Sequence, residues 1–138
     1  MSLFNLYLNN ELPADLAAIE MLSRAAKELA RILDATTRAA TAAAKLIRIL
    51  DGVRVSGEYA MRLAESGTAE FEFEAAANGH IGDLVAAHAK AVDLFFMLRE
   101  GHVDPPALGL ARDLAGGLWD LMISARVAQR RRSERGSA

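Results

Sequence analysis

The sequence of 138 residues has no cysteine, three prolines and few aromatic residues. Without cysteine, disulfide scaffolds, cysteine-based zinc or iron–sulfur sites and cysteine nucleophiles are excluded. The most apolar late segment, residues 114–125, contains Asp120 and is far shorter than the roughly 20 apolar residues of a membrane span. The apolar start carries no positive charge before Arg24, so no signal peptide is predicted and we expect a cytoplasmic protein.

The residues that are abundant are strong helix formers. The chain has 28 alanines, and leucine, arginine and glutamate are also frequent, whereas β-branched residues are few. This composition predicts an all-α protein. The length fits one domain, which we place at residues 1–129, followed by a disordered basic tail at 130–138. Arginine outnumbers lysine 13 to 3, which indicates a GC-rich bacterial or phage genome.

The N-terminal half predicts one long helix. Apolar residues between about 13 and 50 recur at alternating steps of four and three, the spacing of a coiled-coil seam. Pro13 suits the first helical position, and Gly52 suits the end of a helix. Thr36 and Thr37 offer the alternative of capping a second helix and dividing the segment. Because this helix is long and lined with alanine, we expect a helix of a second subunit against it, in a dimer as the first choice.

Glycines divide the rest of the chain into shorter predicted helices. These are a short helix at 57–66, an acidic helical segment ending at Asn78–Gly79, a helix at about 80–100 and a last helix that begins after Asp104. The expected fold is therefore a bundle of about five helices. His88 falls on an apolar seam, which indicates a buried or interfacial histidine and not a metal ligand, because no helical metal-ligand spacing is present.

Three sets of residues are candidates for contact with a partner protein or another subunit. Apolar residues near the N-terminus are unfavourable if exposed, so they either dock on the protein's own core or pack on a partner. Small seam residues let a neighbouring helix approach closely. Phe96 and Trp119 lie on helices that are apolar over more than one face. The candidate interface residues are Leu3, Phe4, Tyr7, Ala40, Ala44, Ile47, Phe96 and Trp119.

The net charge of −2 is divided between two regions of opposite sign. Residues 57–84 hold six carboxylates and one arginine, with the densest cluster at Glu70, Glu72 and Glu74; this is either a solvated edge or a surface for a basic partner. The C-terminal arginines either serve as a solubilising tail or contact nucleic-acid phosphates or an anionic membrane surface. These arginines are Arg126, Arg130, Arg131, Arg132 and Arg135.

No catalytic motif is present. The sequence has no phosphate-binding glycine loop, no nucleophile elbow and no paired carboxylates at the spacing of helical pyrophosphatases. We therefore expect no cofactor and no catalytic site. The leading hypothesis is a non-enzymatic helical interaction protein (an adaptor, inhibitor or assembly subunit) that binds a protein partner through apolar helix faces. The alternative is a nucleic-acid-associated protein that uses the arginine tail, and an enzyme with a carboxylate and histidine site is the third.

Overall fold

A computed structural model describes Tyr7 and residues 11–67 and 69–136, of which 135 and 136 are described in backbone only. These residues form four α-helices and no strand, so the all-α prediction is confirmed and the count of five helices is wrong. None of the described helices is both long and apolar enough to cross a membrane. The helices are α1 (Leu12–Ile32), α2 (Arg38–Glu65), α3 (Glu70–Glu100) and α4 (Pro105–Gly136).

The four helices pack in the order in which they occur along the chain. Each helix contacts the next, and α1 also contacts α4, which closes a four-helix bundle. Short links make consecutive helices antiparallel. The links α1–α2 and α3–α4 lie at what we call the lower end. The start of α1, the α2–α3 link and the end of α4 lie at the upper end.

The predicted continuous helix from 13 to 50 is wrong, because α1 ends at Ile32 and α2 begins at Arg38. Leu33 has an extended backbone. The hydroxyl of Thr37 accepts a hydrogen bond from the backbone N–H of Ala40 at 3.2 Å, which caps α2. A threonine cap stabilises a helix start by about 1 kcal/mol. The alternative division at the two threonines is therefore confirmed.

Two predicted helix breaks do not occur. Helix α2 runs through Gly52, which merges the predicted short helix at 57–66 into it, and α3 runs through Asn78–Gly79. A glycine inside a helix costs about 1 kcal/mol relative to alanine. The apolar seam on either side of each glycine offsets that cost. The chain instead turns near Gly67, whose φ of 75° favours glycine.

Each helix buries one seam whose residues recur mostly at steps of four and three. On α2 the buried residues are Ala39, Ala43, Leu46, Leu50, Val53, Gly57 and Ala60. On α3 they are Phe73, Ala77, His80, Ile81, Leu84, Ala87, Ala91, Leu94 and Leu98. The seams thus mix alanine with larger residues, which lets helices of the same chain approach closely. The buried alanines of these seams therefore pack against helices of the same chain.

Helix α4 continues to Gly136, whereas the sequence predicted disorder from residue 130. The reason is that the seam of α4 also continues. Ala128 is buried, and one turn later Arg132 lies at the next seam position with its side chain only 7% exposed. Burial of these side chains holds the last turns of the helix against α3.

Candidate interaction surface

A groove runs between α3 and α4 on the outer face of the bundle. Its volume is about 400 Å³, and its lining is mostly apolar. Helix α3 contributes one wall and α4 the other, because residues four and three apart along each helix share a face. The lining residues are His88, Val92, Phe95, Phe96, Arg112, Ala115, Gly116 and Trp119.

Two large aromatic side chains of this groove are about half exposed. Trp119 is 49% exposed and Phe96 is 48% exposed. The Trp119 ring lies 5.4 Å from the ring of His88, centroid to centroid, and the Phe96 ring lies 5.5 Å from that of Phe95. These contacts hold one side of each ring while the other side faces solvent. The groove therefore presents ordered apolar surface.

Gly116 leaves a notch in the α4 wall. A Cβ atom built on Gly116 would have no heavy atom within 4 Å, so the space beside it is open. Gly117 differs, because its Cβ would lie 2.7 Å from a methyl carbon of Leu22. Gly117 therefore allows α1 and α4 to pack closely, whereas no close contact within the described chain requires a glycine at Gly116. Trp119 lies about one helical turn beyond the notch.

The predicted interface residues fall in different places. Phe96 and Trp119 are brought together in the α3–α4 groove. Ala40 is half-buried, Ala44 is exposed, and Ile47 packs against the core. These three therefore flank the α2 seam and do not form it. Tyr7 is 4% exposed and packs on the protein's own core, and Leu3 and Phe4 lie outside the described residues.

The acidic cluster and the arginine tail are neighbours and not separate surfaces. Glu70 and Glu72 are exposed in the first turn of α3, while Glu74 forms an ion pair with Arg132 on α4. The Arg132 guanidinium carbon lies 4.5 Å from the ring centroid of Tyr7 and 5.6 Å from that of Phe73. Of the other predicted nucleic-acid contacts, the structure describes the side chains of three as exposed: Arg126, Arg130 and Arg131.

Comparisons with protein-family models, with curated proteins and with solved structures found no match to this chain. Within residues 11–67 and 69–136, and at Tyr7, no three histidine, aspartate or glutamate side chains lie together as a metal site. The surfaces of the molecule are therefore the basis for inferring its function.

His80 is a buried polar residue that the sequence did not single out. It is 1% exposed, and its Nδ1 lies 2.9 Å from the Ser56 hydroxyl oxygen, which donates to the Val53 carbonyl at 3.0 Å. The Nε2 atom has no hydrogen-bond partner among the residues that the structure describes. Burial lowers the pKa of His80, so the neutral ring is favoured. His80 lies four residues before Leu84 and seven residues after Phe73, which is the spacing of a buried position on one helix. The helix break predicted at Asn78–Gly79 obscured this periodicity.

Asp15 is the second such residue, and it lies in the seam of α1 at 8% exposure. Burial, with a smaller contribution from the charge of Glu11, raises the pKa of Asp15 to about 6. Burial and the nearby charge of Asp15 also raise the pKa of Tyr7 to about 12. Together with His80 and Arg132, Asp15 gives the upper end of the bundle a polar seam.

Proposed function

We propose that this protein is a non-enzymatic interaction protein that receives one helix of a protein partner in the α3–α4 groove. The observation that carries the proposal is the half-exposed Trp119 beside the open notch at Gly116. Tryptophan is enriched among residues that dominate the energy of interfaces, particularly beside pockets that exclude water. Apolar surface grouped in this way is typical of a binding site.

A second copy of the chain is the partner we propose first. The Trp119 side chain projects from α4, and Gly116, about one turn away, leaves a depression because it has no side chain. The same helix therefore carries both a protruding side chain and a depression that can receive one. If two α4 helices cross antiparallel about a two-fold axis between these turns, each copy's Trp119 enters the other copy's notch. Such self-complementarity is the requirement of a two-fold symmetric interface. Ile123 and Val127, each partly exposed along α4, extend the same apolar ridge.

The test measures self-association of purified protein by sedimentation equilibrium from about 1 µM to about 1 mM. We expect dimers of the wild type and a dissociation constant about 1,000-fold weaker for Trp119→Ala, because the symmetric interface loses two hot spots worth about 2 kcal/mol each. Gly116→Leu fills the notch without a clash inside the subunit, because nothing lies within 4 Å of the added Cβ. It should weaken the dimer by at least about tenfold.

Gly52→Leu is the matched control, since Gly52 is equally open but lies on α2. It should leave the dissociation constant unchanged. A wild type that stays monomeric at the highest concentration contradicts the proposal, and so does a dimer that Gly116→Leu leaves intact. Circular dichroism of each variant checks that the helices form.

Association with nucleic acid through the arginine tail is the less favoured proposal. The exposed Arg126, Arg130 and Arg131 support it, because arginines on a helix can contact phosphates. Arg132 instead forms the ion pair with Glu74 and contacts two aromatic rings. The carboxylates of Glu70 and Glu72, at the same end of the bundle, oppose the approach of a polyanion.

A further inference from the structure

A cavity of about 770 Å³ opens at the lower end of the bundle, away from the α3–α4 groove. Residues from both links and from the ends of all four helices line it. We propose that this cavity binds a compact, uncharged apolar molecule that carries one hydrogen-bonding head group. Its volume lies within the range of about 300–1,000 Å³ that is usual for small-molecule sites.

The walls of the cavity are apolar and only partly covered. Leu98 and Ala107 are buried at its base, at 1% and 4% exposure. Leu33, Met97 and Val103 around them are half-buried. A ligand that covers these side chains removes apolar surface from water, and each buried methylene group contributes roughly 0.8 kcal/mol to transfer. Helix ends fix the positions of these walls, so the site exists before a ligand binds.

No terminal segment of this sequence can fill the cavity within the same molecule. Tyr7 packs against Phe73 near the start of α3, and α4 ends at Gly136, so both lie at the upper end. Helix α1 has 21 residues and is about 31 Å long. Residues 1–6 span at most about 20 Å when extended. The bowl shape, enclosed by four helix ends, also suits a compact molecule better than a straight partner helix.

The polar groups of the rim select the head group. The hydroxyl of Thr37 is already used by the Asp34 carbonyl and the Ala40 N–H. The Asp34 carboxylate accepts two hydrogen bonds from Thr36, which lower its pKa and keep it charged. Arg38 and Asp104 have no ion-pair partner in the described part of the chain.

Arg38 and Asp104 therefore offer one donor group and one acceptor group at the rim. A hydroxyl can accept from the first and donate to the second. A carboxylate has no donor for Asp104 and is repelled by the two rim carboxylates, whereas an ammonium group has no acceptor for Arg38 and is repelled by its guanidinium. An alcohol with an aliphatic or aromatic body is the simplest ligand of this chemistry.

The probe is 1-octanol, titrated into isotope-labelled protein and followed by amide chemical shifts. We expect saturable shifts of Ala39, Val103 and Ala107, which line the cavity. Val103→Trp, which fills the mouth, should weaken binding by at least about tenfold. Val55→Trp is the matched control, because Val55 is a partly exposed valine on α2 outside both the cavity and the α3–α4 groove, and it should bind as the wild type does.

Octanoate and octylamine test the head group with the same chain length. We expect both to bind at least about tenfold more weakly than 1-octanol. Shifts that do not saturate, or that centre on the α3–α4 groove, overturn the site. Equal binding by Val103→Trp and the wild type does the same, and the wild-type shift map decides the question if Val103→Trp fails to fold. Tighter binding of either charged probe overturns the assignment of an uncharged ligand.

Discussion

The two ends of the bundle use the same seam spacing but fill it with different side chains. At the lower end the buried seam residues are apolar, as with Leu29 on α1 and Leu94 and Leu98 on α3. At the upper end the seam includes a carboxylate, an imidazole and a guanidinium: Asp15, His80 and Arg132. Hydrophobic burial therefore accounts for packing at the lower end, whereas hydrogen bonding, ion pairing and protonation also decide it at the upper end.

This difference shows where the fold is sensitive to more than volume. A buried polar group contributes stability only if its partners are in place, and removal of one partner leaves the other unsatisfied. The upper end also places a glycine at the buried position beside His80, which makes room for its ring. We expect substitutions at the upper end to depend on chemistry and on pH. Substitutions at the lower end should follow the apolar volume removed.

Replacement of Arg132 should give the largest loss of stability among the upper-end variants considered. Arg132→Ala removes the cation from the Tyr7 and Phe73 rings, removes the ion pair with Glu74 and uncovers apolar surface. We expect the free energy of unfolding to fall by about 2–3 kcal/mol, measured by urea denaturation. Arg131→Ala, one residue away and exposed, should change it little.

Arg132→Met separates packing from charge in the same measurement. If the aliphatic stem supplies most of the stabilisation, methionine should recover more than half of the loss. The Nη1 atom of Arg132 has no hydrogen-bond partner within the described ranges, so the loss of this atom breaks no hydrogen bond there. Equal unfolding free energies for Arg132→Ala and Arg131→Ala would contradict a role for Arg132 in holding the end of α4 against α3.

A glycine pair on α2 compares the space at a buried upper-end position with an exposed one. The Cβ of Gly57→Ala would lie 2.7 Å from a Leu16 methyl carbon and 3.0 Å from the His80 ring. We expect this variant to lose about 1–2 kcal/mol in denaturant unfolding, because overpacking exceeds the gain in helix propensity. Gly52→Ala meets nothing within 4 Å and should gain about 0.5–1 kcal/mol. A gain at both positions would show that the Leu16 side chain and the His80 ring both shift freely.

The sequence predicted the helical class and the spacing of the seams because both follow from local composition and periodicity. The helix boundaries depended on competition between local signals and burial. At Thr37 the local cap decided the boundary, whereas at Gly52 and Gly79 the buried seam outweighed the glycine. The relative size of the local signals and of burial does not follow from a single sequence, because burial depends on which helices become neighbours.

The candidate site was predictable only in part for the same reason. Phe96 and Trp119 were identified from apolar residues on more than one face, and both line the α3–α4 groove. The pairing of Glu74 with Arg132 spans 58 residues and follows from the antiparallel packing of α3 and α4, which no local pattern encodes. The lower-end cavity likewise forms only because the α1–α2 link and the α3–α4 link lie side by side, which no local pattern predicts.

Asp15 gives the clearest expected dependence of stability on pH. Burial raises the pKa of Asp15 from 3.8 to about 6, so the folded state favours the protonated carboxyl. Its stabilisation is therefore present below about pH 4 and is lost as the pH rises through 6. Asp15→Asn mimics the neutral form and should be more stable than the wild type by about 2–3 kcal/mol at pH 7, with nearly equal stability near pH 4.

His80 contributes the opposite slope, because its pKa is lowered and its stabilisation is lost as the pH falls below about 6.5. Both proteins retain His80, so the difference between their unfolding free energies, measured from pH 4 to pH 8, cancels that slope and isolates Asp15. A difference that does not change between pH 4 and pH 7 would mean that Asp15 is solvated in the folded state. The polar seam of the upper end would then be reduced to His80 and Arg132, and the contrast with the apolar lower end would rest on those two residues.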